Sequence, residues 1–123
     1  MGQLVVQTFA LPDSPLDAAA HFLAELVPLA REALQGGGPK QWPGPGLKEV
    51  DALAIVFPPA GKEHYGWRLA VVQELAREAA PKRVNGVVGD HPRAIDEATD
   101  WLANAPGITG QLLAVDGKSG AKG

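Results

Sequence analysis

A single tyrosine with ionisable neighbours is the residue of this chain best suited to proton transfer. Tyr65 directly follows His64 and lies three residues after Lys62. A positioned phenol can act as a general acid or base. In a second interpretation Tyr65 simply occupies the first turn of a helix among partly solvated neighbours. We expect the second arrangement, and Tyr65 then remains a candidate only for the lining of a ligand cleft.

An Asp-His pair is the second candidate for chemistry. Asp90 and His91 follow a β-branched run, where a ligand cleft opens if that run is a strand of a parallel sheet. The pair lacks partners at metal-ligand spacing, because His21 and His64 belong to separate elements. An Asp before His-Pro more often caps the following helix. We therefore expect Asp90 to be an N-cap and predict no metal site.

Other reactive groups are few. The chain has no cysteine, which excludes disulfides, thiolate nucleophiles and thiolate metal sites. Neither of its two serines, Ser14 and Ser119, lies in a nucleophile-elbow pattern, so serine hydrolysis has no support. An acidic group near the start of a later helix is typical of a solvated face beside the positive end of the helix dipole. Its members are Asp96, Glu97 and Asp100.

Composition narrows the class of protein. The 123 residues are 46% hydrophobic and 20% charged, as in an ordinary soluble globular domain. The net charge is −3 and the basic residues are scattered, which argues against nucleic-acid binding because that needs a basic patch. No apolar run reaches about 18 residues, and no basic-then-apolar leader is present. We expect a cytoplasmic protein with neither a membrane span nor a secretion signal.

Short β-branched runs and longer helical segments must position these groups. Residues 4–9 predict a first strand, and Asp13-Ser14-Pro15 then supplies a cap followed by proline at the first helical position. One helix extends to Leu34, and Pro28 inside it should cause a kink. Spacings of three and four predict the buried face of this helix. Its members are Leu16, Ala20, Leu23, Val27, Ala30 and Leu34.

A loop rich in glycine and proline separates this helix from the second strand. The loop covers residues 36–46 and contains Trp42, which either pins the loop to the domain or anchors a contact with another chain. Residues 50–57 form a nearly continuous apolar run, as in a strand covered on both faces. The next helix covers residues 62–80 and ends at Pro81. Its predicted apolar side consists of Trp67, Val71, Val72, Leu75 and Ala79.

The remaining elements complete an alternating β-α-β-α-β-α-β order. Residues 83–88 predict a third strand, His91-Pro92 opens a helix that lasts to about residue 103, and residues 111–116 predict a fourth strand. Such alternation favours parallel strands joined by right-handed crossovers. We predict a three-layer, Rossmann-like α/β domain over residues 1–117, with about four strands and three main helices, and a flexible tail over 118–123. The apolar stripe of the last helix is Ile95, Ala98, Trp101 and Leu102.

Three segments carry a family likeness. Residues 107–117 look like the C-terminal "vTGqxlxVDGG" signature of the short-chain dehydrogenases, and residues 71–88 resemble the helix and strand that end in "apalrVNaVxPG". Residues 23–34, followed by Gly36-Gly37, are similar to the helix before the family's catalytic-serine strand. The segments follow the family's order. The resemblance therefore implies a shortened relative that keeps the back half of the family's sheet.

The resemblance also implies groups that this sequence lacks. Family members hold the cofactor pyrophosphate on a Gly-rich turn between a strand and a helix, and no such turn is present. They place a serine at a strand end, where this chain has Pro58-Pro59, and a tyrosine with a lysine four residues later. If the chain is aligned with the family motif without a gap, Gly61 falls at the position of the tyrosine and Tyr65 at the position of the lysine. If a gap is introduced so that Tyr65 aligns with the tyrosine, Leu69 stands at the position of the lysine. Arg68 would point about 100° away, so we expect no catalytic residue and no cofactor.

These observations favour a non-catalytic subunit that acts in assembly or binding. A sheet without its front strands exposes an edge and helix faces, which another chain would cover. We predict a homodimer or homotetramer, or a complex with a full-length relative, and no nucleic-acid or membrane partner. By the resemblance, the helices of residues 16–35 and 62–80 would form the contact. The side chains predicted for it are Phe22, Leu26, Leu29, Trp67, Val71 and Leu75.

Two alternatives stay open. One is an NAD(P)-dependent oxidoreductase whose active site is unusual or shared with another chain. The other is a protein that binds a small ligand in a cleft at the carboxyl ends of the strands. The residues predicted to line that cleft are Pro58, Tyr65, Gly89 and Asp90.

Overall fold

Four parallel strands form one sheet with the order β1-β2-β3-β4. The computed structural model describes residues 3–8, 11–36 and 50–115. The predictions for Phe9, Trp42, Ser119 and residues 116–123 lie outside these ranges. The strands are β1 (Gln3–Gln7), β2 (Ala52–Phe57), β3 (Arg83–Val88) and β4 (Leu112–Ala114).

The helices lie between the strands in chain order, as the sequence predicts. Ser14 is the N-cap of the first helix and accepts a hydrogen bond from the Asp17 N–H, and Pro15 takes the first helical position. A short 3-10 turn, Lys62–His64, precedes the third helix. The helices are α1 (Pro15–Glu25), α2 (Val27–Gly36), α3 (Tyr65–Ala79) and α4 (Pro92–Ala103).

Helices cover both faces of the sheet, which confirms the three-layer α/β architecture. Leu53 and Phe57 of β2 belong to the core cluster formed with α1, α2 and α3, whereas Val56 packs with Ile95 and Leu102 of α4. The β2–β3 and β3–β4 connections step in the same direction across the sheet, yet their helices lie on opposite faces. The two connections therefore have opposite hands, and the expectation of right-handed crossovers throughout is wrong.

The first helical region differs from its prediction. The chain forms two helices separated at Leu26, because Pro28 has no N–H and its ring crowds the preceding turn. The buried side chains of α1 are Ala18 and Phe22, so the predicted buried face is wrong for α1. Of the predicted residues, Val27, Ala30 and Leu34 in α2 are buried, whereas Leu16, Ala20 and Leu23 are exposed.

Two predictions for α4 are also wrong. The N-cap is His91, whose Nδ1 accepts a hydrogen bond from the Ala94 N–H, rather than Asp90, which is exposed. Trp101 is 55% exposed and therefore lies outside the buried face of the helix. The buried residues of α4 are Ala94, Ile95, Ala98, Thr99 and Leu102.

Candidate functional site

A buried arginine lies under the carboxyl end of β2, where the family resemblance places chemistry. Arg68 of α3 is 3% exposed, and its Nη1 donates a hydrogen bond of 2.8 Å to the carbonyl oxygen of Pro58. Its guanidinium carbon lies 4.9 Å from the centre of the Phe57 ring. Its Nε is buried and has no hydrogen-bond partner among the described residues. Burial lowers the pKa of the Arg68 guanidinium, because low polarity disfavours the charged form.

A buried histidine ties the start of α3 to the turn before α1. His64 is 6% exposed, and its Nδ1 accepts a hydrogen bond of 3.0 Å from the Trp67 indole N–H. Because that nitrogen accepts, the proton of a neutral ring lies on Nε2, which is 3.0 Å from the carbonyl oxygen of Asp13. Trp67 also packs against Phe22 of α1. His64 therefore fixes the position of α1 on α3, and both of its ring nitrogens have partners within the chain.

The four residues predicted to line a cleft differ in exposure, and the cleft itself stays a prediction. Gly89 is buried, and a Cβ there would lie 3.0 Å from Val115 Cγ2, so Val115 already fills this position. Pro58 is half-buried, and Asp90 and Tyr65 are exposed, Tyr65 by 54%. The structure thus places Tyr65 on a solvated first helical turn, as the second interpretation of the sequence has it.

The strand-to-helix turns that the structure describes do not fit a dinucleotide pyrophosphate. That group needs free backbone N–H groups and the positive end of a helix dipole. In α1 and α4 the first helical residue is proline, and Ser14 and His91 already accept hydrogen bonds from the following N–H groups. Before α3, the carboxylate of Glu63 lies over Gly61, where a Cβ would meet it. A negative charge at this position would repel a phosphate, so we derive no step through a nicotinamide cofactor.

The residues that resemble the family's motifs meet between β3 and the segment before β4. Asn85 is 1% exposed, and its side chain donates to the Ile108 carbonyl and accepts from the Gln111 N–H, both at 3.0 Å. The Thr109 hydroxyl accepts a hydrogen bond from the Val84 N–H. Gly110 has φ of +74°, a conformation that favours glycine. We call residues 84–86 and 108–111 the β3–β4 clamp; each of these contacts holds the backbone.

The residues predicted for an oligomer interface separate into two groups. Phe22, Val71 and Leu75 are buried within the chain's own core; Phe22 is the most buried of the three, whereas Val71 and Leu75 also line a groove described below. Leu26 and Trp67 are half-buried and pack against that core, and Leu29 is also half-buried. The predicted oligomer and its interface stay predictions.

The outer surface of α1 is apolar and exposed. Leu16 is 82% exposed and Leu23 is 52% exposed, and Ala20 between them is exposed too. At about 100° per residue these three positions lie on one side of the helix, opposite the buried Ala18 and Phe22. We call Leu16, Ala20 and Leu23 the α1 stripe. A helix with apolar residues on opposite sides is typically covered on both.

A groove continues from the α1 stripe toward α3. It has a volume of about 160 Å³. A second groove of about 280 Å³ lies nearer the carboxyl ends of α2 and α3, and both are lined in part by Arg31 and Glu78. The residues lining the first groove are Leu23, Val27, Arg31, Ala70, Val71, Glu74, Leu75 and Glu78.

An ion pair joins α2 to α3 beside these grooves. Arg31 Nε donates to Glu78 Oε1 at 2.9 Å, and Arg31 Nη2 donates to Glu78 Oε2 at 2.7 Å. The side-chain hydrogen bond from Arg31 lowers the pKa of the Glu78 carboxyl. The pair is about half exposed, so it orients the two helices and contributes little to their stability.

Sequence reasoning missed the buried polar residues His64 and Arg68. The spacing of Arg68 held a signal, because it precedes Val72 by four residues and Leu75 by seven, and therefore shares their helix face. His64 precedes Trp67 by three residues, a spacing at which helical side chains meet.

Within residues 3–8, 11–36 and 50–115, three or more metal-ligating side chains do not come together at any point. Among the helices of these ranges, none has the length and apolar content to cross a bilayer.

Comparison with known proteins supports the resemblance. The family model described as SDR-like, short chain dehydrogenase-like protein, matches residues 6–115, which is most of the chain. Neither curated proteins nor solved structures provide a match. With a parallel α/β sheet and a family match across it, this chain belongs to the short-chain dehydrogenase-like family.

Proposed function

We propose that this protein is a non-catalytic member of its family that acts as a subunit of an oligomer. The observation that carries the proposal is the α1 stripe, Leu16, Ala20 and Leu23, which is exposed opposite a helix face that is already buried. Exposed apolar side chains that lie together mark contact sites more often than isolated ones do. We propose that the α1 stripe and the adjoining groove form the contact.

The carboxyl edge of the sheet supports the non-catalytic part of the proposal. Tyr65 is exposed on a helical turn, and His64 is held between Asp13 and Trp67. Arg68 is directed to the carbonyl of Pro58 beneath the edge. In this arrangement His64 and Arg68 bond to carbonyl oxygens of their own chain, and the described strand-to-helix turns have no free site for a pyrophosphate.

Replacement of the α1 stripe tests the proposal. Leu16→Glu and Leu23→Glu place a carboxylate in the proposed contact, where burial without a partner is costly. Sedimentation velocity at micromolar concentration should show an oligomer for the native chain and a monomer for each variant. Both positions are exposed, so circular dichroism should remain unchanged.

Trp101→Glu is the matched control. Trp101 is 55% exposed, close to the 52% of Leu23, but it belongs to α4 on the opposite face of the sheet. This variant should keep the oligomer. A native chain that is monomeric at micromolar concentration would refute the proposal, as would equal loss of the oligomer in the Trp101 variant.

A cofactor titration separates this proposal from an oxidoreductase. We expect NADH and NADPH at submillimolar concentration to leave the melting temperature unchanged, since a ligand stabilises only a protein that binds it. A rise of several degrees, accompanied by enhanced nicotinamide fluorescence, would favour the oxidoreductase instead.

A further inference from the structure

Strand β1 lies at one edge of the sheet and has none of the features that normally block further pairing. Within the part of the chain that the structure describes, β1 pairs with β2 and with no other strand. Natural edge strands usually carry a charge, a proline or a bulge that prevents another strand from adding to them. The residues of β1, Gln3–Gln7, include neither a charge nor a proline, and they pair with β2 without a bulge. Val5 at the centre of β1 is 46% exposed, so this edge is open to a further strand.

The outward backbone groups of β1 belong to alternate residues. The Thr8 N–H donates to the Val56 carbonyl of β2. Since successive residues of a strand direct their N–H and C=O groups to opposite sides, every second residue counted back from Thr8 also faces β2. The N–H and C=O groups of Gln3, Val5 and Gln7 therefore face the free edge. These three residues offer donors and acceptors in a set that is centred on Val5.

The side chains of β1 follow the same order in both directions of the strand: glutamine, aliphatic, valine, aliphatic, glutamine. We infer, resting on the proposed function in assembly, that β1 pairs antiparallel with β1 of a second copy of this chain, through a contact separate from the α1 stripe. A twofold axis at Val5 then places Val5 across from Val5 and Gln3 across from Gln7 in hydrogen-bonded pairs. Leu4 lies across from Val6, and each of these unlike contacts occurs twice, as in any isologous interface.

Both faces of this strand pair gain suitable neighbours, because directly opposed side chains are about 4.5–5.5 Å apart. On one face, Val6 belongs to the core cluster and Leu4 packs against it, so the two aliphatic pairs extend the core across the axis. On the other face, Gln3 donates to the Thr99 carbonyl of α4, but its Oε1 is buried without a hydrogen-bond partner among the described residues. The exposed Gln7 of the second copy brings an amide donor to this position. A second copy therefore fits the edge on both faces.

The edge contact adds to the contact of the α1 stripe and does not replace it. An isolated pair of short strands is marginally stable at best in water, so Leu16→Glu and Leu23→Glu should still be monomers at micromolar concentration. When a chain uses two different twofold contacts, the closed oligomer contains four copies. Val5→Lys places like charges opposite each other at the axis and should reduce the mass in sedimentation velocity from four chains to two. Ala60→Lys is the matched control, because Ala60 is exposed on the turn after β2 and lies in neither contact; it should keep four chains.

Disulfide trapping tests the register of the pair. The chain has no cysteine, so each introduced thiol can react only with another introduced thiol. Opposed residues of a hydrogen-bonded pair have Cα atoms about 5.5 Å apart, within the range of about 4.4–6.8 Å that a disulfide needs. Val5→Cys should form a covalent dimer under mild oxidation. Gln3→Cys mixed with Gln7→Cys should give a covalent dimer that neither variant gives alone.

Ala60→Cys measures the rate of cross-linking by chance collision. Faster trapping at Val5 than at Ala60, together with cross-linking of the mixed Gln3 and Gln7 variants, supports the pairing. A native oligomer whose Val5→Cys variant cross-links no faster than Ala60→Cys would overturn the edge pairing and leave the α1 contact standing. Oligomers that persist in Leu16→Glu and Leu23→Glu but are trapped at Val5 would overturn the α1 contact instead. A native monomer would overturn both proposals.

Discussion

The β3–β4 clamp and the carboxyl edge of β2 both align with motifs of the family, but they differ in what is kept. The clamp keeps the residues of the motif, whereas the edge has other residues in their place. In the clamp, Asn85 makes two hydrogen bonds to the backbone before β4, and Gly110 supplies a positive φ. At the edge, Pro58-Pro59 occupies the place that the resemblance gives to a serine. Arg68 and His64 there bond to carbonyl oxygens of their own chain.

The difference shows which parts of a motif depend on packing and which on chemistry. A buried amide that satisfies two backbone groups is required by the fold, whatever the protein does. A serine at a strand end, or a tyrosine with a lysine four residues later, is required only by a reaction. The chain keeps the first kind of residue, so a match to the family establishes the fold and leaves the activity to be tested.

Removal of the clamp should have the largest effect on stability. Asn85→Ala leaves the Ile108 carbonyl and the Gln111 N–H without their partner. Asn85 is buried and its two bonds are partly buried; a buried group left unpaired costs about 1–3 kcal/mol, so we expect a loss of about 2–4 kcal/mol in the free energy of unfolding, measured by urea denaturation. Asn104→Ala, which removes an exposed side-chain bond to Asp100, should cost less than about 1 kcal/mol. An equal loss of unfolding free energy in both variants would mean that the Asn85 hydrogen bonds stabilise the fold no more than an exposed hydrogen bond does.

His64→Ala should have the next largest effect. The variant leaves the Trp67 indole N–H and the Asp13 carbonyl without their partner, and we expect a loss of about 1–3 kcal/mol. Tyr65→Phe, at the next residue, should change stability by no more than about 0.5 kcal/mol because Tyr65 is exposed. Chemical denaturation of both variants checks this order. A larger loss for Tyr65→Phe would show that the hydroxyl has a role absent from this account.

Arg68→Met should be nearly neutral. Methionine keeps an unbranched apolar side chain over Phe57 and removes a buried charge whose Nε has no partner among the described residues. It also removes the hydrogen bond to the carbonyl of half-buried Pro58, which offsets part of the gain. Replacement of buried ionic groups by apolar ones of similar size is often neutral or stabilising, and we expect a change within about 1 kcal/mol. Arg68→Ala, which also removes the packing, should be clearly less stable than Arg68→Met. If Arg68→Met and Arg68→Ala lose the same free energy of unfolding, packing of the aliphatic part of the side chain does not contribute to stability and the guanidinium does.

Loss of the Arg31–Glu78 pair should have the smallest effect and is best seen as a titration. The pKa of Glu78 is lowered by Arg31, so ionised Glu78 favours the folded state. That contribution is present above the ordinary carboxyl pKa of about 4.3 and is lost as pH falls through the lowered folded-state value. In Arg31→Met the pKa of Glu78, followed by NMR, should rise toward its ordinary value. An unchanged pKa would mean that the ion pair does not persist in solution.

The sequence predicted the elements well where local pattern and tertiary burial agree. The apolar run of β2 and the bounds of β3 are confirmed, because a strand covered on both faces shows its burial directly in composition. The likeness at residues 107–117 rests partly on Thr109 and Gly110. The Thr109 hydroxyl accepts a hydrogen bond from the Val84 N–H, and Gly110 has a positive φ.

The prediction failed where a helix has two apolar sides. In α1, spacing alone favoured Leu16, Ala20 and Leu23 as the buried face, whereas Phe22 and Ala18 occupy it. Periodicity identifies a stripe but cannot say which of two stripes faces the sheet, and the break before Pro28 shifts the phase between α1 and α2. Burial of His64 and Arg68 depends on distant partners at Asp13 and Pro58, which local pattern does not contain.

The molar mass of the native chain as a function of concentration tests the account most directly, because the proposed function requires another chain to cover the α1 stripe. Light scattering after size-exclusion chromatography should give at least twice the mass of one chain at micromolar concentration, with dissociation on dilution. A mass of one chain throughout the micromolar range would contradict the account.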